Sequence, residues 1–236
     1  MSLVLGVDTE TTGLDCTVDR ITEIGAVLYD WNPGIPLRIF SVLVIPEKPI
    51  PEEVMKVNGI TEAMIENYGV LEEDALRELS TLICEADYLM AHNAAFDRGF
   101  IDQAFLRRKM TAPEKPWLCT REDIKYPAEI TTRKLSYLAA EVGFVNPFRH
   151  RAIFDVLTML KTAEEHNLED IIKRSLEPTV YVQAHVSFDE KELAKAKMFQ
   201  WCGPKKIWWK ALKENDYREE KPDYAFRSSI MQEKPE

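Results

Sequence analysis

Val7-Asp8-Thr9-Glu10-Thr11-Thr12-Gly13-Leu14 follows a short apolar run, Leu3-Val4-Leu5-Gly6-Val7. The run has the length and composition of a β-strand. Residues i and i+2 of a strand project from one face, so Asp8 and Glu10 point the same way with their carboxylates close together. Two like charges at that separation repel, and burial strengthens the repulsion. A divalent cation such as Mg²⁺ or Mn²⁺, which prefers hard oxygen ligands, relieves it; taken alone, the pair is equally read as a strand end that happens to be acidic.

Downstream, Ile21 to Leu28 reads as a second strand, Asn32-Pro33-Gly34 as a turn and Leu37 to Ile45 as a third strand, an antiparallel meander. Short helices are expected over Glu52 to Val57 and after Thr61. Apolar residues at 71, 75, 76, 79, 82 and 83 have helical spacing. Tyr88 to Ala91 is a short strand leading into His92-Asn93-Ala94-Ala95-Phe96-Asp97. The next helix is expected to turn Phe96, Phe100, Ile101, Phe105 and Leu106 inward. Trp117 to Cys119 is a brief strand, Lys134 to Val142 a helix stopped at Gly143, and Arg151 to Arg174 mostly helical with Ile153, Val156, Leu157 and Leu160 inside. Three strands followed by alternating helices and strands predict an α/β fold, a mixed sheet flanked by helices.

Near Pro178 the pattern restarts. Thr179 to Phe188 alternates like a strand, Ser187 or Asp189 is placed to cap a helix through Phe199, and Ile207-Trp208-Trp209 is strand-like. The expected division is a main domain over 1–177, a small α+β domain over 178–225 and a frayed tail over 226–236. Between Asp189 and Lys213 seven lysines face three acids. With Trp201, Trp208 and Trp209 this suits single-stranded nucleic acid, with bases on the aromatics and phosphates on the lysines. The plainer reading makes the tryptophans the core of a small unit.

Composition sets bounds. A chain of 236 residues with 45% hydrophobic and 30% charged residues is ordinary for a globular protein. No apolar run approaches transmembrane length and the first strand begins at once, so a cytoplasmic protein without membrane contact is expected. Cys16, Cys84, Cys119 and Cys202 are scattered without a Cys-x-x-Cys pair, which argues against zinc and a disulfide framework. The net charge of −10 disfavours broad non-specific binding of nucleic acid more than a metal-filled site that grips a few nucleotides.

Further acids stand at element ends: Asp97 just beyond a strand and Asp155 on a helix, with His150 five residues earlier. Taken singly, Asp97 is a helix N-terminal acid, His150 a loop residue and Asp155 part of a solvated helix face. Taken together with Asp8 and Glu10 they can converge on one cleft and hold two divalent ions, about 3.5–4 Å apart in two-metal phosphodiester cleavage. His150 has the residue type to take a proton from the attacking water.

Asp-Thr-Glu-Thr-Thr-Gly-Leu, His-Asn-x-x-Phe-Asp and His-x-x-x-x-Asp, in that order, resemble the DEDDh 3′→5′ exonuclease superfamily. That superfamily includes the proofreading epsilon subunit of bacterial DNA polymerase III, exodeoxyribonuclease X, ribonuclease T and oligoribonuclease. The resemblance covers roughly residues 1–175 and includes Asn58-Gly59-Ile60-Thr61, where His-Gly-Ile-Thr is usual, and Cys119-Thr120. The sister group with a catalytic Tyr has Tyr-x-x-x-Asp; Arg151 stands at that Tyr position here.

The resemblance implies a ribonuclease H-like mixed five-stranded sheet. It implies metal ligation of two Mg²⁺ or Mn²⁺ by Asp8, Glu10, Asp97 and Asp155, and His150 as general base. Thr11, Thr12 and Leu14 would meet the terminal nucleotide, with Asn93 as a further substrate contact. It further implies a DNA 3′ end, single-stranded, as substrate, and a second copy or a DNA-replication protein as a possible partner. An exoribonuclease of the ribonuclease T or oligoribonuclease type and a non-catalytic nucleic-acid-binding module are the alternatives. His92 is expected to support the sheet end and not to bind metal.

Overall fold

The computed structural model describes residues 2–127 and 129–235; Met1, Ala128 and Glu236 lie outside the described residues. Contacts divide the chain into one unit of residues 1–126 and 132–172 and another of 127–131 and 173–236.

The first unit is built on a five-stranded mixed sheet. Its strands are β1 (Leu3–Thr11), β2 (Ile21–Asp30), β3 (Ile35–Leu43), β4 (Tyr88–Ala91) and β5 (Trp117–Cys119), in the order β3-β2-β1-β4-β5. The first three form the antiparallel meander, and β4 and β5 join parallel to β1. Helices α1 (Glu52–Asn58), α2 (Glu62–Tyr68), α3 (Glu72–Glu85), α4 (Ala94–Arg107), α5 (Leu135–Glu141), α6 (Ala152–Ala163) and α7 (Leu168–Ser175) complete the α/β fold.

β2 is buried along its whole length, because the sheet is covered on both faces. The period of two divides its side chains. Ile24, Ala26 and Leu28 pack with Leu76, Leu79, Phe100 and Phe105 of α3 and α4. Val27 and Tyr29 pack with Val156, Met159 and Leu160 of α6. In β1 the same alternation sends Leu5 and Val7 toward α3 and α4, and Val4 toward α6.

Two glycines let α6 approach the sheet. A Cβ on Gly6 would lie 2.9 Å from Cγ1 of Val156, and one on Gly25 would lie 2.5 Å from the carbonyl carbon of Ala152. The second obstacle is backbone, which cannot rotate away. Gly25 pairs with Asp8 in the β1–β2 register, so the start of α6 sits directly over the acidic end of β1.

Two positions depart from the expected apolar stripes. Leu71 precedes α3 instead of lying on it, and Leu106 of α4 faces solvent; both side chains are exposed. The basic end of α4 is ordered by a buried acid: Arg107 and Arg108 both pair with Glu72, at 2.6 and 2.7 Å.

The second unit holds a four-stranded antiparallel sheet, β7-β8-β6-β9, made by β6 (Thr179–His185), β7 (Gln200–Cys202), β8 (Ile207–Lys213) and β9 (Arg227–Met231). Helices α8 (Lys191–Ala196) and α9 (Glu214–Glu220) accompany it. The stretch expected to be a frayed tail is thus corrected: β9 pairs with β6 from Tyr181↔Met231 to His185↔Arg227. Its short polar sequence carries little strand signal, and the unpaired edge of β6 recruits it. The helix expected to run through Phe199 ends at Ala196, and Met198 follows with φ 60°. Contacts place the division between the units inside α7, not after Glu177. Arg174 explains this, because its guanidinium grips both oxygens of Asp216 in α9 at 3.1 and 2.7 Å.

Phe199, Leu212, Val182 and Tyr217 form the core of this unit, with Trp208 packed against it. Trp209 is buried, whereas Trp201 is 51% exposed. Two of the seven lysines are turned inward: Lys210 pairs with Glu220 at 2.7 Å, and Lys213 donates to the Glu177 carbonyl at 3.4 Å. Those two do not line a surface groove.

Candidate active site

The site follows from the alternation along β1. Asp8 and Glu10 continue the face of Val4 and Gly6, toward α6, where Asp155 precedes Val156. Thr9 continues the opposite face, toward α4, where Asp97 lies in the first turn. Pairing of β1 with β4 ends at Gly6↔Met90. Beyond that point Asp97 takes the place of a strand partner: its Oδ1 accepts from the amide and the hydroxyl of Thr9, each at 2.9 Å.

Asp155 is clamped by the loop before α6. Its Oδ1 accepts from Nδ2 of Asn146 at 2.8 Å, and its Oδ2 from the amide of His150 at 2.9 Å. Asn146 also accepts from the Phe148 amide at 2.9 Å. His150 is exposed and left-handed, with φ 60°. One donor atom each of Glu10, His150 and Asp155 lie within 4.8 Å of one another. Beneath them, Glu23 is opposite Glu10 in the register and buried. Arg151 holds it with Nη2 at 2.8 Å, and the amide of Ala152 donates to it at 2.9 Å.

The electrostatics are those of crowded acids drawn away from water, with Asp97 buried and Asp8, Glu10 and Asp155 half-buried. Burial raises the Asp8 pKa well above the usual carboxylate range, and Asp97, Glu10 and Asp155 raise it further. Burial pushes Glu10 up to about 7 against the lowering effect of its hydrogen bond from Asn58. Asp97 is raised by burial despite its bonds from Thr9. Asp155 is raised by burial, offset by the His150 amide and Asn146. The nearby guanidinium of Arg151 is spent on Glu23. Four hard-oxygen donors short of positive charge, with one imidazole beside them, fit a divalent ion of the Mg²⁺ or Mn²⁺ type.

A cleft of about 560 Å³ is lined by Asp8, Glu10, Asp97, His150 and Asp155 together with Thr11, Thr12 and Leu14. Leu14 is 87% exposed and, with Val54, Val57 and Phe96, supplies the apolar part of its lining. The side chains of Thr11 and Thr12 are engaged internally. Thr11 donates to the Gly13 carbonyl at 2.5 Å; the Thr12 hydroxyl donates to Asp19 at 3.1 Å and accepts from the Arg20 amide at 3.0 Å. Asn93, at φ 86°, lines a neighbouring cavity instead of this one.

Asn58, which stands where the resemblance usually has a His, also lines the cleft, is buried, and donates to Glu10 at 3.3 Å. Asn146, Glu23 and Gly25 carry no motif signal. Their partners lie on other elements or across a loop.

His92 also lines this cleft, with both ring nitrogens engaged away from the carboxylates. Its Nε2 lies 2.8 Å from the Arg133 carbonyl and its Nδ1 2.8 Å from Oγ1 of Thr120. A carbonyl only accepts, so Nε2 carries the proton and Nδ1 accepts. Burial pushes the pKa of this ring down to about 4, which keeps it neutral.

A family model described as Exonuclease matches residues 5–163. The DNA polymerase III subunit epsilon of Treponema pallidum is 33% identical over 181 residues, which covers 75% of each chain. PolC-type DNA polymerase III of Bacillus subtilis is 32% identical over 174 residues; the chain spans 12% of that relative's length. Among solved structures, exonuclease X in complex with 5′-overhanging duplex DNA aligns with a TM-score of 0.51 at 25% identity, covering 73% of this chain and 99% of that one.

Proposed function

The chain belongs to the exonuclease family whose model it matches over residues 5–163, and from that premise we propose a divalent-metal-dependent enzyme that shortens single-stranded DNA from its 3′ end and releases nucleoside 5′-monophosphates. One observation carries the reading: Asp8, Glu10, Asp97 and Asp155, from two faces of one sheet, line the same cleft as the exposed imidazole of His150. DNA as substrate is supported by the epsilon relative, a subunit of a DNA polymerase, and by exonuclease X bound to DNA. A replication protein is the partner class the same relative favours.

Asp8, Glu10 and Asp155 would hold one ion, and Asp8 with Asp97 a second. Ions there supply Lewis acidity and neutralise charge on the phosphoryl oxygens. The remaining work belongs to the chain. Leu14, Val54 and Val57 pack the terminal nucleoside, and the backbone at Thr11 and Thr12 meets its 3′-hydroxyl. His150 removes a proton from the attacking water as the new P–O bond forms. The bond from phosphorus to the 3′-oxygen of the penultimate nucleotide breaks, and that oxygen takes a proton from solvent and leaves as a hydroxyl. Asn146 and the His150 amide fix Asp155 and the base loop together, so ligand and base share one frame.

Residues 178–225 are proposed as an accessory nucleic-acid-binding module. Trp201 and Trp208, with ring centroids 5.5 Å apart, would be its stacking surface.

The test is degradation of matched single-stranded DNA and RNA oligonucleotides labelled at either end, with Mg²⁺, Mn²⁺ or EDTA. A ladder shortening from the 3′ end of DNA and lost with EDTA supports the reading. Faster loss of RNA makes the enzyme an exoribonuclease. Binding without cleavage in either metal makes it a scaffold.

A further inference from the structure

A second cavity, about 760 Å³, opens onto the same catalytic groups. It shares Asp8, His92, His150 and Asp155 with the nucleoside cleft, but the rest of its wall differs. Where the first cleft offers Leu14, Val54 and Val57, the second offers Arg121, Arg133, Lys134 and Arg149. Asn93 and Ser136 add neutral polar groups. Four cations around one cavity stand out in a chain of net charge −10. Glu122 lies 3.4 Å from both Arg121 and Arg133 and offsets part of their charge.

The wall is held in place before any ligand arrives. Neutral His92, at the end of β4, donates to the Arg133 carbonyl. The Arg133 guanidinium donates to the Arg121 carbonyl at 2.8 Å and lies 6.0 Å over the Tyr126 ring. The half-buried histidine of the His-Asn-x-x-Phe-Asp motif therefore ties the cationic segment to the strand end that leads to Asp97.

The polarity of a nucleic-acid strand then assigns the cavity. A scissile phosphate over the shared carboxylates carries the terminal nucleoside on its 5′-oxygen. The rest of the strand continues from its other bridging oxygen. With the nucleoside in the apolar cleft, the penultimate nucleotides lie on the opposite side of Asp8 and Asp155. We infer that the cavity walled by Arg121, Arg133, Lys134 and Arg149 is the track for the 5′-ward phosphates of a single DNA strand.

The inference rests on the exonuclease reading, and two substrates separate the two. The p-nitrophenyl ester of thymidine 5′-monophosphate fills the nucleoside cleft and has no 5′-ward phosphates; the octamer dT8 has them. In the full chain, Arg121→Ala with Lys134→Ala should lower kcat/KM for dT8 at least tenfold relative to the ester. The salt dependence of KM for dT8 should become shallower by about 0.7 in log–log slope per lost phosphate contact. An unchanged ratio, whether both substrates are spared or both lose equally, overturns the track. Wild-type protein that hydrolyses neither substrate overturns the exonuclease reading and the track with it. Ester hydrolysis by wild type with no preference for dT8 in the ratio keeps the enzyme and removes the track alone.

Discussion

Asn58 donates from Nδ2 to Oε2 of Glu10 across 3.3 Å, while its own Oδ1 accepts from the Ile60 amide at 3.0 Å. Both ends of the amide are therefore engaged, and the side chain cannot flip without losing a bond. Burial pushes Glu10 up to about 7, and the Asn58 bond works against that rise. Asn58→Ala removes the donor, so Glu10 holds its proton to higher pH. A hydrogen bond to a charged group contributes about 1.5–3 kcal/mol, roughly 10- to 150-fold in rate if all of it is lost at the reacting state. The expected result is a drop of that order in kcat/KM at pH 7, an acidic limb moved to higher pH, and a greater demand for Mg²⁺. Asn58→His, which can also donate, should recover most of the loss. A pH–rate profile of all three proteins checks this.

Gly25 and Gly59 make a paired test of how α6 is seated. A Cβ at position 25 meets the backbone of Ala152 and Ile153. Overpacking of this kind costs about 1–3 kcal/mol, and relief requires α6 to move with Asp155. Gly25→Ala should lower both the melting temperature and the activity. Gly59 has φ 72° and open space around its missing Cβ. Gly59→Ala should cost only the left-handed backbone term, about 1 kcal/mol, and retain turnover. Thermal melts and oligonucleotide assays on both variants distinguish the two costs.

The carboxylates set a pH dependence of stability without metal. Asp8, Glu10, Asp97 and Asp155 all have raised pKa values in the folded chain, Glu10 at about 7. Acids raised on folding bind more protons folded than unfolded, so they favour the fold below about pH 4 and lose that contribution as pH rises through the folded values. In EDTA, the melting temperature should therefore fall between about pH 4 and pH 7–8 through these groups. Mn²⁺ or Mg²⁺, binding the ionised form, should raise it more at pH 8 than at pH 5.5. An equal rise at both pH values would mean that the ions bind elsewhere.

The individual roles separate by rate. Asp8→Ala and Asp155→Ala should abolish cleavage while the fold persists, because each removes a proposed metal ligand. His150→Ala should slow cleavage by ~10²–10⁴, the usual worth of a general base, and leave binding of a DNA oligonucleotide intact. Single-turnover rates beside binding isotherms check both, and near-normal turnover of either aspartate variant would sink the assignment.

The parts of this protein that were legible in its sequence depend on local geometry. Asp8 and Glu10 share a face because strands alternate, and β1 is recognisable from five apolar residues. Asp97 and Asp155 stand at fixed offsets from His92 and His150, so motif spacing places them without any fold. What depends on pairing across the chain stayed out of reach. Arg151 meets Glu23 at a separation of 128 residues. The cationic wall is assembled from residues near 121, 133 and 149. β9 exists because β6 has an open edge, and Arg227–Met231 has no apolar alternation to announce it. Leu71 and Leu106 fit helical spacing yet lie outside the covered faces, since periodicity gives a stripe and not its width.

Trp201 tests whether the second unit touches DNA. Its indole is 51% exposed, whereas Trp209 is buried. Its ring lies 5.5 Å from that of Trp208 at 54°, and Lys195 Nζ is 6.0 Å from the Trp208 ring centre. Base stacking on an aromatic contributes about 1–3 kcal/mol per base, roughly 5- to 150-fold in affinity. Trp201→Ala should therefore weaken binding of a dT oligonucleotide within that range while the p-nitrophenyl ester of thymidine 5′-monophosphate is hydrolysed at the wild-type rate. Because the side chain is half outside the core, its loss should move the melting temperature little. Unchanged oligonucleotide affinity in a folded variant would return the tryptophans to a purely structural role, and the second unit would need another explanation for its lysines.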